Sequence, residues 1–420
     1  MHNLKPLFES AKTAAQSLAL VTDTVRDDIL RDIAATITRR ESDILAANKA
    51  DLARMDPADP LYDRLLLTPE RLADIARDML NVASLPSPLN RILDDRTLPN
   101  GLHLRKITVP FGVIGVIYEA RPNVTFDVFS LCFKSGSACI LKGGSNAHES
   151  NTAIAQLIRD VLAAHDICTA TLTLLPPTHE AAETLLHADA FVDLCIPRGG
   201  KRLIRFVRDN ARVPVIETGA GVVHTYFDKD GDITIGARIV CNAKTRRVSV
   251  CNALDCLLLH KDRLDDLPAL VAPLIDSQVR INGDAPSLAA LSGAYPDALL
   301  KPIAEGTADE VYSTEYMDYE MSLKTVDSLD DAVKHIARYG SGHSESIITA
   351  SSDTAAAFQQ RVDAACVYWN APTSFTDGAQ FGLGAEIGIS TQKLGARGPM
   401  GLREITTYKW LIDGNGQTRP

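Results

Sequence analysis

A chain of 420 residues, 45% apolar and 23% charged, is long enough for two or three domains with a sizeable interior, and its composition excludes a disordered or fibrous protein. Its formal charge of −10 argues against general binding to nucleic acid or to an anionic membrane, so any anion site must be local. The N-terminal stretch lacks the apolar core of a signal peptide, and no apolar run approaches the ~18 residues of a membrane span, so a cytoplasmic protein is expected. The eight cysteines include no Cys-x-x-Cys pair, and neither a disulfide framework nor a metal site is expected.

Residues 5–55 read as helices, with Ile29, Leu30, Ile33 and Ile37 at helical spacing among acidic and basic residues. After the looser Asp56-Pro-Ala-Asp-Pro60, Thr68-Pro69-Glu70 supplies an N-cap, a first-turn proline and an acid at the positive helix end. The helix that follows places Leu72, Ile75, Ala76 and Met79 on one face and stops before Pro86 and Pro88. Two β-like runs flank Asn100-Gly101, a hairpin signal. Leu102, Leu104 and Ile107 give the second run an apolar side for a partner chain, unless it is an ordinary surface hairpin. A buried strand from Pro110 breaks at Arg121-Pro122-Asn123. Asn123 is there either an active-site amide or the N-cap of a helix running to Lys134 and ended by Gly136.

Strands and helices then alternate: strands at 138–142, 170–175, 191–196 and 213–217, helices at 151–165, 179–187 and 201–211. This rhythm predicts a parallel sheet of the dinucleotide-binding type, with ligands at the carboxyl ends of its strands. The Gly-x-Gly-x-x-Gly fingerprint is absent. Two other turns, Lys142-Gly143-Gly144-Ser145 and Pro197-Arg198-Gly199-Gly200-Lys201, offer backbone N–H groups near helix starts and cations suited to phosphate. Each is otherwise a tight turn carrying a solvated cation.

Val213 to Glu217 leads into Thr-Gly-Ala-Gly, and Cys251 follows Lys244, Arg246 and Arg247, a positive field suited to a thiolate and an anionic substrate. The competing reading of Cys251 is a buried core cysteine. A second α/β lobe is predicted from a strand at 257–260 and helices at 264–279 and 328–338. The glycine-rich stretch that follows reads as a binding loop in which Ser390, Lys393 and Arg397 hold a carboxylate or phosphate. A closing strand and a frayed tail end the chain.

Val109 to Asn123, Lys134-Ser-Gly, Pro197-Arg-Gly-Gly, Glu217-Thr-Gly-Ala-Gly, Val250-Cys-Asn-Ala and Gly382 to Lys393 together resemble the γ-glutamyl phosphate reductase family of the aldehyde dehydrogenase superfamily. The resemblance implies an α/β, aldehyde dehydrogenase-like fold. Residues 1–92 and 109–218 would be a Rossmann-like cofactor domain, 219–398 a catalytic domain, 93–108 and 399–413 an oligomerisation element, and 414–420 a flexible tail. It also implies NADPH-dependent reduction of L-glutamyl 5-phosphate to L-glutamate 5-semialdehyde through a Cys251 thioester, in proline biosynthesis. Asn123 and the Cys251 N–H would form the oxyanion hole. Lys142, Arg198, Gly199, Gly200 and Glu315 would hold the cofactor; Arg121, Asn370, Ser390, Lys393 and Arg397 would hold the substrate. Glu217 matches the superfamily's hydrolytic base and is read as a proton acceptor or a positioning group, with a purely structural role as the alternative. A homo-oligomer and an association with glutamate 5-kinase are expected partners. The sequence departs from the family at Arg246-Arg247-Val248-Ser249, where a Gln-Arg-Pro-type approach is usual. Rival readings are a hydrolytic aldehyde dehydrogenase and a non-catalytic protein on the same fold.

Overall fold

A computed structural model describes residues 4–57, 59, 62–119, 121–219 and 221–419. Ala120 and Ala220, inside two of the motif stretches, and Pro60, in the looser stretch, lie outside the described residues, as do Met1–Asn3, Ala58, Leu61 and Pro420. The chain divides into two units: 1–218 with 382–388 and 400–420, and 219–381 with 389–399.

In the first unit the amphipathic N-terminal pattern folds as read. Helices Lys5–Leu18, Asp23–Arg39 and Glu41–Leu52 form, and Ile29, Leu30, Ile33 and Ile37 are fully buried. Thr68 Oγ1 accepts the Arg71 N–H at 3.2 Å to cap helix Pro69–Ser84, which ends in the extended Leu85 before Pro86. The predicted hairpin is β1 (Ile92–Thr97) and β2 (His103–Pro110), antiparallel, with Gly101 at φ +86° in its loop. Next come β3 (Val113–Tyr118), β4 (Ala138–Lys142), β5 (Leu172–Leu174) and β6 (Leu194–Arg198), which build an all-parallel sheet in the order β5-β4-β3-β6. Every residue of β3 is buried, as a strand covered on both faces requires.

Helix Asn123–Lys134 is apolar almost all round and is buried among its neighbours. Its end is a Schellman turn: Ser137 N–H donates to Cys132 O at 2.8 Å and Gly136 N–H to Phe133 O at 3.0 Å, with Gly136 at φ +76°. The strand predicted at 213–217 does not form. Only Val215 bridges to Cys195, because Pro214 lacks the N–H that would extend the ladder.

The second unit is built on β7 (His224–Phe227), β8 (Cys256–His260), β9 (Arg280–Gly283), β10 (Leu300–Pro302), β11 (Glu320–Val326), β12 (Ser344–Ile348) and β13 (Cys366–Trp369). They form a seven-stranded parallel sheet in the order β10-β9-β11-β8-β7-β12-β13. Alternation along β8 sends Leu257 and Leu259 into one core with Phe227, Val240 and Leu270, and Cys256 and Leu258 into another with Tyr226, Ile347 and Phe358. The helix predicted at 328–338 is Leu329–Tyr339, with Ser328 as its N-cap accepting the Asp331 N–H. The single helix predicted at 264–279 is instead a 3-10 turn Lys261–Asp266, a short helix Leu267–Val271 and a second 3-10 turn Ala272–Leu274. Pro268 and Pro273 break the run of donors. The sequence reading also missed β7 and helix Ile233–Thr245, the elements on which the thiol loop depends.

Toward the C-terminus, β14 (Gly388–Ser390) and β15 (Gly398–Met400) form a two-stranded sheet. The predicted closing strand, β16 (Thr406–Asp413), pairs antiparallel with β2 along its length, giving a three-stranded sheet β1-β2-β16. No helix among the described residues is long and apolar enough to cross a membrane.

Candidate active site

The predicted site residues divide between the units: Arg121, Asn123, Lys142, Arg198, Gly199, Gly200 and Glu217 fall in the first, Cys251, Glu315, Asn370, Ser390, Lys393 and Arg397 in the second.

In the first unit, Asn123 opens its helix but does not cap it. Pro122 holds the N-cap position and no side chain caps the end, so the N-cap alternative for Asn123 does not hold. Its Nδ2 instead donates to Asp127 Oδ2, one turn on, at 3.0 Å. Burial pushes the Asp127 carboxyl up to about 6, against the pull of Arg198, with Asp78 adding to the rise. Arg121 is exposed two residues before Asn123.

Lys142 ends β4 half-buried. Burial lowers its pKa, and the nearby Glu119 carboxylate partly restores it. The helix beyond its turn has two of its first donors already taken. A 3-10 turn, Ser145–Ala147, intervenes, and the N–H groups of Glu149 and Ser150 go to Asp51 at 3.1 and 2.8 Å. The Gly199-Gly200 turn does open a helix, Lys201–Asn210, and Gly200 N–H donates to Glu119 Oε2 at 2.9 Å. A Cβ on Gly199 would meet Glu119 Cδ and Leu203 Cδ2, each at 2.8 Å. The turn therefore holds an oxyanion now, one supplied by the chain itself. Arg198 donates through Nη1 to the Ile387 carbonyl, and Glu217 Oε2 lies 4.0 Å from Arg208 Nη1.

In the second unit Cys251 sits, partly buried, on the turns between helix Ile233–Thr245 and β8. The next residues are pinned. Asn252 Nδ2 donates to Thr376 O at 2.9 Å, its carbonyl accepts from Thr373 Oγ1 at 2.8 Å, and Leu254 N–H reaches Ala243 O at 3.0 Å. Lys244 is fully buried and donates to Leu254 O at 2.9 Å. Burial lowers it to about 8, while Asp255, Asp318 and Glu320 pull the other way. Lys244 thus braces the loop and is no part of an open positive field, contrary to the sequence reading; Arg246 and Arg247 are the exposed cations. Asp255, pushed up to about 7 by burial against Lys244, accepts from Tyr316 N–H at 3.0 Å and Val223 N–H at 3.3 Å.

Gly221 shows how tightly the thiol loop is held. A Cβ there would overlap the Cys251 carbonyl and come within 3.2 Å of Cys251 Cα, so only glycine fits. Its N–H donates to Glu315 Oε1 at 2.9 Å, which places Glu315 against the same loop.

Lys393 and Arg397 both bind Asp363, at 2.5 and 2.8 Å, and these bonds hold the Asp363 carboxyl below the usual range. Ser390 is fully buried, and its Oγ has no hydrogen-bond partner among the described residues. Asn370, at φ +51°, accepts from Thr349 N–H at 3.0 Å and donates to Thr349 O at 2.9 Å, so its amide closes the end of β13. Sequence reasoning missed Glu119, Asp127, Gly221 and Asp363. Glu119 and Gly221 lay inside two of the motif stretches, and Asp127 stood four residues after Asn123 on a predicted helix; Asp363 carried no signal.

No family model matches the chain. It is 59% identical over 417 residues to the γ-glutamyl phosphate reductase of Parabacteroides distasonis, covering 99% of this chain and 100% of that protein. The crystal structure of γ-glutamyl phosphate reductase from Thermotoga maritima superposes with a TM-score of 0.94 at 36% identity, covering 99% of this chain and 100% of that one. An acetylating aldehyde dehydrogenase from Geobacillus thermoglucosidasius shares the fold at TM-score 0.70 and 16% identity, covering 99% of this chain and 97% of that one.

Proposed function

The chain belongs to the γ-glutamyl phosphate reductase family, and from that premise we propose that it reduces L-glutamyl 5-phosphate to L-glutamate 5-semialdehyde and phosphate with NADPH, as the second step of proline synthesis from glutamate. Cys251 is the nucleophile. Its sulfur attacks the acyl carbon, the bond to the phosphate oxygen breaks, and a thioester remains. Glu217 takes the thiol proton or positions the group that does. Asn123 Nδ2 and the Cys251 N–H stabilise the oxyanion, which exists only during reaction. Asp127, bonded to that amide, orients it.

Arg121, Lys393 and Arg397 neutralise the phosphate and α-carboxylate, with Asn370 and Ser390 beside them. Substrate then competes with Asp363 for Lys393 and Arg397. The buried, unpartnered Ser390 hydroxyl supports a ligand there. Lys142, Arg198 and the Gly199-Gly200 turn would hold the cofactor's phosphates and adenosine ribose, and Glu315 its nicotinamide ribose. The oxyanion already seated on Gly200 N–H fits that assignment. NADPH bound there supplies the hydride that takes the acyl group to the aldehyde. The sheet β1-β2-β16, with Tyr408, Trp410 and Ile412 exposed, is the proposed oligomerisation element, which a single-chain sedimentation mass would contradict. Delivery of a labile acyl phosphate favours association with glutamate 5-kinase in the cytoplasm.

One observation carries this reading: the likeness to named family members runs the full length of the chain. The test is the reverse reaction with semialdehyde and NADP. Reduced nicotinamide that appears only with inorganic phosphate and is lost in Cys251→Ala supports it. Turnover without phosphate makes the protein a hydrolytic dehydrogenase with Glu217 as base.

A further inference from the structure

Three neighbouring strands of the second unit put polar residues where a parallel sheet is normally apolar. Cys256 on β8 is level with His224 on β7, and His224 is level with Glu345 on β12, so the three side chains form a row on one face. His335, from helix Leu329–Tyr339, comes down over the row. Cys256, His224 and Glu345 are fully buried, and His335 is 9% exposed.

The row has the internal organisation of a ligand set. Cys256 Sγ lies 3.7 Å from His335 Nε2. One nitrogen from each histidine and the Cys256 sulfur all lie within 4.8 Å of one another. A tetrahedral ion bound at ~2.0–2.3 Å by sulfur and imidazole holds such atoms roughly 3.5 Å apart, so one pair is already at that spacing. Glu345 Oε2 binds His224 Nδ1 at 3.0 Å and also accepts the His224 backbone N–H at 2.8 Å, which fixes the ring. His224 Nε2, on the other side of the ring, is buried, faces the Cys256 thiol and has no closer hydrogen-bond partner among the described residues. A carboxylate on one imidazole nitrogen and an unsatisfied nitrogen opposite is how proteins present a metal-ligating histidine. The rings of Tyr312 and Tyr339 pack on His335 at 4.8 and 4.7 Å and hold it in place. A cavity of about 180 Å³, lined by Ile336, Gly340 and Arg361, meets the row at Glu345.

We propose that His224, Cys256 and His335 bind a divalent transition-metal ion of the zinc class, with Glu345 holding His224 from behind. One thiolate and two imidazoles select such an ion over magnesium or calcium. Binding forms one metal–sulfur and two metal–nitrogen bonds, and the fourth position is left to water. The thiol proton and any proton on His224 Nε2 leave to solvent, and no electron moves. The site is separate from the Cys251 thiol and asks nothing of the reaction proposed above. Its three ligands come from positions 224, 256 and 335, a spacing that no linear metal motif would reveal.

The test uses the full chain carrying Cys251→Ala, so that the reactive thiol cannot report. Chelator-treated protein is titrated with Co(II) without oxygen, and thiolate-to-cobalt charge-transfer absorption is followed. The expected result is a band that saturates at one equivalent, is displaced by Zn(II), and disappears when Cys256→Ser is added. Glu345→Gln should weaken binding by roughly 10- to 100-fold. Absence of the band at several equivalents, or its survival in Cys256→Ser, overturns the proposal. Should Cys256→Ser fail to fold, His335→Gln takes its place: weakened binding supports the site, and full-affinity binding overturns it.

Discussion

Replacing Gly221 by alanine tests the idea that the thiol loop is held in one position by backbone contact. The new Cβ would overlap the Cys251 carbonyl oxygen, and Cys251 Cα would lie only 3.2 Å away. A carbon–oxygen contact relaxes to about 3.3 Å or more, so the loop must move by more than an ångström. It cannot move freely, since Asn252 and Leu254 are tied to Thr373, Thr376 and Ala243. Overpacking of this kind costs about 1–3 kcal/mol of stability. A displacement of about 1 Å at the reacting atom costs about 10²-fold in rate, or roughly 2.7 kcal/mol. Thermal unfolding would show the first effect. The second would be read twice: as phosphate-dependent turnover in the reverse direction, and as the rate of Cys251 alkylation, which does not depend on the proposed reaction. Turnover and alkylation both within twofold of the parent, at unchanged Tm, would refute the claim that this glycine positions the thiol.

Asn123→Ala should lower kcat by about 10²–10³-fold with a much smaller effect on Tm, as expected for a donor used only in the transition state; a change confined to KM would contradict that role. Ser390→Ala removes a buried hydroxyl that has no partner, so stability should hold or rise slightly while KM for the semialdehyde increases; a loss of stability without a change in KM would make Ser390 structural. Asp127 titrates near 6 in the fold against ~3.9 unfolded, so the native state binds its proton more tightly. The corresponding stability is present below about pH 4 and is lost as pH rises through 6, by up to roughly 3 kcal/mol. Between pH 4 and 7 the parent should therefore lose Tm relative to Asp127→Asn, and parallel profiles would count against the shift.

Local signals were the readable ones. Thr68 caps because a threonine before Pro-Glu has one good use, and Ile29, Leu30, Ile33 and Ile37 bury because no other face is apolar. The hairpin was legible from an Asn-Gly turn, and motif stretches singled out Asn123 and Cys251 as candidates. What failed was non-local or decided by proline. Val213 to Glu217 looked like a strand until Pro214 removed a donor, and Pro268 and Pro273 broke a run with helical periodicity. Lys244 was read as a free charge because nothing nearby in sequence says that it turns inward to Leu254 and Asp255. Asp363, which claims both Lys393 and Arg397, lies about thirty residues from either. The row from Cys256 to Glu345 exists only once three strands are in register.

The pairing of β16 with β2 bears on how the chain is made. Tyr408 is opposite Thr108, some 300 positions earlier, so β16 completes a sheet begun by a strand made some 300 residues before it. Until it emerges from the ribosome, β2 has an open edge of unpaired donors and acceptors that another strand can capture. Closing so long a loop is slow. A chain truncated before Thr406 should therefore keep the parallel sheets and expose β2. It should aggregate during refolding, and a separate peptide spanning Thr406–Asp413 should suppress that aggregation.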